Sequence, residues 1–127
     1  MDEVVARARG CLGARFRLHG RDPATGLDCV GLVAWAHRRG DAPTGYRLRG
    51  GSREGYAAML AAAGLRRVET ILPGDVLLCA SGPGQFHLGI ASEAGLIHAD
   101  AGLGRVVERP GEAPWPVVSC WRLGRQG

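Results

Sequence analysis

The hydrophobic pattern of this chain changes period once, and no other feature constrains its fold as strongly. Up to about residue 64, apolar side chains recur at three- and four-residue spacing; from residue 75 onward they alternate. The first half reads as three helices. Residues 2–12 carry Val4, Val5, Ala8, Cys11 and Leu12 on one face, with Asp2 as cap and Gly13 as stop. Residues 29–39 form the second helix, ended by Gly40, after a loop over 14–28 with turn signals at Asp22-Pro23 and Thr25-Gly26. Ser52 caps a third helix that runs to about Ala63 and stops at Gly64, with Tyr56, Met59, Leu60 and Ala63 as its core face. The second half reads as strands over 75–80, 86–91, 95–99, 105–109 and 117–123, separated by Gly and Pro turns. Helices first and an antiparallel meander after them predict an α+β domain. Its N-terminal helices should pack on one face of a five- to six-stranded sheet. The 127 residues are near the modal size of one domain, so residues 1–127 are read as one unit.

Charge and cysteine usage exclude several classes of function. The net charge is +4, and every one of the 16 basic residues is Arg, placed singly or in pairs such as Arg38-Arg39 and Arg66-Arg67. A basic balance favours polyanionic surfaces such as cell wall or nucleic acid. No basic stripe interleaved with aromatics occurs, so specific nucleic-acid binding is not expected. The four cysteines, at 11, 29, 79 and 120, form no Cys-x-x-Cys pair, which argues against a zinc ribbon and against a disulfide framework. Cys11, Cys79 and Cys120 lie in apolar segments and are read as small buried hydrophobes. No stretch approaches the ~20 apolar residues of a membrane span. The acidic start Met1-Asp2-Glu3 lacks the basic region of a signal peptide. The expectation is a protein made in the cytoplasm that leaves, if at all, by a route that reads no signal.

Cys29 is the residue with the most chemical promise. In Asp28-Cys29-Val30-Gly31-Leu32-Val33-Ala34-Trp35, the positions Val30, Val33, Ala34 and His37 share a helical face, so an amphipathic helix is expected. Asp28 is its N-cap, which puts Cys29 in the first turn. Unpaired N–H groups and the positive end of the helix dipole there favour a thiolate. Such a cysteine is a candidate nucleophile and needs a base.

The strand Gln85-Phe86-His87-Leu88-Gly89-Ile90-Ala91 supplies one. Alternation places His87, Gly89 and Ala91 on one face, where two tiny residues would let a helix terminus approach closely. The next strand, Leu96-Ile97-His98-Ala99, follows a four-residue turn that sets His98 opposite Gly89, diagonal to His87. Nucleophile, base and orienting group are then Cys29, His87 and His98. His19 and His37 have no such arrangement and read as loop and helix-surface residues.

These segments resemble the NlpC-type cell-wall peptidases, small papain-like cysteine peptidases. The resemblance rests on Asp28-Cys29-Val30-Gly31-Leu32, Pro73-Gly74-Asp75-Val76-Leu77, His87-Leu88-Gly89-Ile90 and Leu96-Ile97-His98-Ala99, in this order. It implies a papain-like fold, with Cys29 as nucleophile, His87 as base and His98 as third member. Phe16, His19 and Asp28 would then fall in the substrate or oxyanion region. The family usually has Tyr where this chain has Phe16, so one hydroxyl donor is missing. The implied reaction is acyl transfer without metal or other cofactor, on the bond after a γ-linked D-glutamate in peptidoglycan stem peptides. The loop from Gly20 to Cys29 is most similar to the subgroup of phage tails and gene transfer agents. Peptidoglycan and tail-tip or baseplate hub proteins are the partners this implies, and a particle-borne tail component is the implied location. Two other readings stay open: a structural tail-tip or wall-binding protein with a weakened site, and a papain-like amidase or acyltransferase on another substrate.

Overall fold

Both helix starts that the sequence marks inside the chain are capped by the residues it offers. In the computed structural model, which describes residues 3–39 and 51–124, Asp28 accepts a hydrogen bond from Gly31 N at 2.8 Å, and Ser52 accepts one from Gly55 N at 3.0 Å. The helices they open are α2 (Cys29–Ala36) and α3 (Arg53–Ala62); α1 (Glu3–Arg9) precedes them. The Asp2 cap and the Gly40 stop lie outside the described residues. The first two helices are shorter than expected. The chain after Arg9 turns, and Gly10 to Gly13 close it with Cys11 still buried.

A two-stranded hairpin, β1 (Arg21–Asp22) and β2 (Gly26–Leu27), lies inside the predicted loop. The main sheet holds β3 (Leu65–Val68), β4 (Val76–Gly82), β5 (Gln85–Ala91), β6 (Gly95–Asp100), β7 (Arg105–Pro110) and β8 (Val117–Leu123). Its order is β3-β8-β4-β5-β6-β7, antiparallel throughout. The meander holds from β4 to β7, but β8 returns to sit between β3 and β4. β3 had no alternation to reveal it, since its middle residues Arg66 and Arg67 are both exposed. The result is the expected α+β class, three helices with a six-stranded sheet.

The sheet separates two apolar clusters. On the helix side Val76, Leu78, Leu88, Ile90, Ile97, Ala99 and Trp121 pack with Val5, Ala8, Cys11, Leu32 and Val33. The other face carries a smaller cluster of Leu77, Cys79, Ala91, Leu96 and Cys120, with Trp115 and Val68 partly buried against it. Helix α2 is not amphipathic. Apart from Trp35, which is 41% exposed, all of its residues are buried. The reason is its position between α1, the sheet and the β1–β2 hairpin, which leaves only Trp35 facing solvent. His37, expected on a helix surface, is buried as well, with Nδ1 2.9 Å from the Val33 carbonyl. The four cysteines are free and buried.

The Pro-Gly-Asp segment has a structural task. Buried Asp75 accepts from Leu72 N at 2.8 Å and from Nε and Nη2 of Arg122 at 2.7 and 2.8 Å, tying the start of β4 to β8. A two-pronged Arg–carboxylate pair fixes direction as well as distance.

Candidate active site

The start of α2 is held by the segment before it. Fully buried Asp28 caps the helix through Oδ1, which also lies 3.3 Å from Arg21 Nη1, and its Oδ2 accepts from His19 N at 2.7 Å. His19 takes a left-handed backbone conformation, φ 62°, to present that amide. A side chain at Gly31 would run into the Gly20 carbonyl, so the glycine after Cys29-Val30 lets this loop lie directly on the first helical turn. Of the three residues expected near substrate, Asp28 is consumed by these internal bonds, and His19 anchors the loop through its backbone. Phe16 packs, half-buried, against the main core.

Cys29 meets the strand that carries His87 by a different route from the one expected. Gly89 and Ala91 do not open a face to the helix. The Gly89 face is filled by the Leu96 side chain, and α2 lies on the opposite face with Leu88 and Ile90. The β5–β6 ladder, however, pairs only Ile90 with Ile97 and Ala91 with Leu96. That register is the one the four-residue turn predicts, but the ladder stops one pair short of the expected Gly89–His98 pairing. Before Ile90 the two strands part, and the start of α2, which packs on both, comes to that opening. There the Leu88 N–H donates toward the Cys29 sulfur, one residue beyond His87. The helix end enters a gap between strands.

Across the gap, His87 Nε2 and His98 Nδ1 are 2.9 Å apart. Their rings stand nearly perpendicular, 89°, with centroids 5.0 Å apart. Trp115 closes over both, edge-on, at 5.1 Å from His87 and 5.4 Å from His98. Sequence reasoning missed Trp115; its only signal was Pro-Trp-Pro just before β8. Tyr56, expected on the core face of the third helix, is buried there, and burial first, then the charges of Cys29 and Asp28, push its phenol up to about 12.

The electrostatics correct the expectation of a ready thiolate. Burial pushes the Cys29 thiol up to about 12, and the nearby Asp28 charge adds to that. The amides of Leu88, Val30 and Cys29 itself act in the opposite direction, as a helix start should, without prevailing. Burial, together with the neighbouring His98, pulls His87 down to about 4, while Asp100 opposes the shift. His98 is lowered too, chiefly by burial. At neutral pH Cys29 is therefore a neutral thiol and His87 a neutral imidazole. Among the described residues no group of three His, Cys, Asp or Glu side chains is placed to hold a metal ion. No described helix is long and apolar enough to cross a membrane.

No family model matches the sequence, and no curated protein does. Solved structures do. The NlpC/p60 domain of the peptidoglycan hydrolase SagA is 25% identical with a TM-score of 0.58, over 85% of this chain and 86% of that one. The chain has the NlpC/p60 fold. The peptidoglycan hydrolase RipB of Mycobacterium tuberculosis is 22% identical with a TM-score of 0.65, over 98% of this chain and 64% of RipB. The P60 domain of an antigen from M. avium subspecies paratuberculosis is 21% identical, TM-score 0.57, over 95% and 91% of the two chains. These structural neighbours are peptidoglycan hydrolase or P60 domains, which agrees with the resemblance drawn from the motifs.

Proposed function

We propose that this protein is a cysteine peptidase of the NlpC type that hydrolyses peptidoglycan stem peptides. The observation that carries the reading is the 2.9 Å bond from His87 Nε2 to His98 Nδ1, beside the amide that meets the Cys29 sulfur. That bond occupies one nitrogen of His87 and leaves Nδ1 for a proton.

The resting neutrality of the site sets the order of events. As Cys29 Sγ attacks the substrate carbonyl carbon, its proton passes to His87 Nδ1, and the carbonyl π electrons move onto oxygen. The Cys29 N–H, unpaired by helix geometry at the first turn, is a donor to that oxyanion. Collapse breaks the C–N bond, and the His87 proton leaves with the amine. Water then attacks the thioester, gives its proton to His87, and the C–S bond breaks to restore the thiol. Similarity to SagA and RipB supports peptidoglycan as substrate. The bond after γ-linked D-glutamate and a place in a phage-like tail rest on the motif resemblance of Gly20 to Cys29.

Mass spectrometry of muropeptides incubated with the protein tests the reaction. The expected result is new fragments ending in γ-linked D-glutamate, absent with Cys29→Ala. Intact muropeptides with the unaltered protein would leave the fold with a wall-binding role. Co-sedimentation with purified tail particles tests the location, and absence from them would remove the tail assignment alone.

A further inference from the structure

The segment before β8 lies on the outer face of the sheet and is tied down at both ends. Gly111 N donates to the Ala94 carbonyl at 2.9 Å, and Ala80 N donates to the Pro116 carbonyl at 3.0 Å. Between these ties Pro114 and Pro116 fix their own φ and bias Ala113 and Trp115 toward extended backbone. The loop therefore loses little entropy in presenting Trp115 at one place. The indole, partly buried, packs on the cluster of Leu77, Cys79, Ala91, Leu96 and Cys120. Covering that cluster needs only an apolar side chain. What calls for an explanation is that the same ring stands edge-on to His87 and to His98 at once, at 74° and 89°.

These contacts and the 2.9 Å bond between the histidines close a triangle of three rings, each steeply inclined to the next. A hydrogen bond alone lets an imidazole swing about it. Edge-to-face packing is directional, and a rigid indole against both rings removes that freedom. It also keeps water from that side of the pair, where His98 is 2% exposed and His87 partly buried. Burial is the largest influence on both histidines; Asp100 on β6 raises both, and Arg109 on β7 lowers His98. From β4, Cys79 pairs with His87, and burial pushes its thiol up to about 11, so it is neutral at pH 7, as Cys29 on α2 is.

We infer that Trp115 is a positioning residue of this site: its ring fixes the angle at which His87 meets His98 and shields their hydrogen bond from water, so that the other nitrogen of His87 stays aimed for proton transfer. This rests on the peptidase reading above and adds to it a residue from the loop between β7 and β8 that packs on both histidines.

Trp115→Ala removes the ring, and Trp115→Phe keeps an aromatic one. On purified muropeptides at pH 7, Trp115→Ala should lower kcat by about 10- to 100-fold with KM changed by less than about threefold, and Trp115→Phe should recover most of that loss. The acid limb of kcat/KM reports the base of the free enzyme. With water admitted, His87 moves from about 4 toward its ordinary value of 6.5. The limb should therefore rise by at least about 1 pH unit in Trp115→Ala and stay with the parent in Trp115→Phe. A merely structural loss lowers the amount of active protein and leaves the limb in place. An unmoved limb, or a Phe variant no better than the Ala variant, overturns the inference. Should Trp115→Ala not fold, Trp115→Leu, which covers the apolar cluster without a flat ring, is read against the same outcomes. If the unaltered protein cleaves no muropeptide, the peptidase reading fails on its own, and NMR titration of the histidine ring protons decides about Trp115. A His87 midpoint raised by more than about 1 pH unit in Trp115→Ala supports the inference; equal midpoints overturn it.

Discussion

The His87–His98 bond fixes where protons must sit, and so what each substitution at 98 should do. For His87 Nδ1 to accept from the thiol, Nε2 must carry the hydrogen and donate to His98 Nδ1. His98 is then an acceptor at that nitrogen and nothing more. A glutamine offers a carbonyl oxygen for the same bond, so His98→Gln should keep kcat within about tenfold of the parent. His98→Ala leaves the His87 N–H without its partner and lets the ring turn, and kcat should drop by about 100-fold. Steady-state hydrolysis of a purified stem peptide separates the two. A His98→Ala enzyme as active as the parent would make His98 an ordinary strand residue. Cys29 carries a second lesson at this scale. The helix-start effect expected from the sequence is present in its amides, yet desolvation outweighs it, because α1, the sheet and the preceding hairpin bury the turn completely.

Among the elements, α2 depends most on a neighbour that had not been expected. The β1–β2 hairpin and Asp28 hold its first turn, and Gly31 is the contact where the Gly20 carbonyl meets the helix. Gly31→Ala would ordinarily favour a helix by about 1 kcal/mol. Here the added methyl meets backbone that cannot yield without moving the cap, so the variant should lose about 2–3 kcal/mol in urea unfolding. Activity should fall beyond what the lost stability explains, since Cys29 lies two residues away. An equal or higher unfolding midpoint would mean that the hairpin moves freely on α2. The β5–β6 pair shows a related dependence. Its turn fixed the register that pairs Ile90 with Ile97, but the ladder ends there, before Gly89 and His98.

For the molecule as a whole, the buried histidine pair predicts how stability varies with pH. His87 titrates near 4 in the folded protein and near 6.5 when unfolded. Between those values the unfolded chain binds more protons, so stability rises with pH across the window and is level above it with respect to this group. The shift corresponds to roughly 3 kcal/mol, and His98 changes stability in the same direction. Urea unfolding at pH 4.5 should therefore show a lower midpoint than at pH 7. His87→Gln should flatten that difference. A midpoint independent of pH over this range would mean that the pair is solvated, with Trp115 not closing over it.

Sequence alone determined the class of the fold and named the candidate residues of the site. The change from helical to alternating spacing, Asp28 and Ser52 as caps, and the turn between His87 and His98 are local, and local chemistry made them legible. Tertiary structure decided everything that depends on what lies on the far side of an element. It placed β8 between β3 and β4, buried His37 and every residue of α2 but Trp35, and raised the Cys29 thiol by desolvation. It also brought Trp115 over the two histidines from a segment distant in the chain. Periodicity records which side of a residue faces its own element's core. It carries no record of how many elements converge on that side, and desolvation depends on that number.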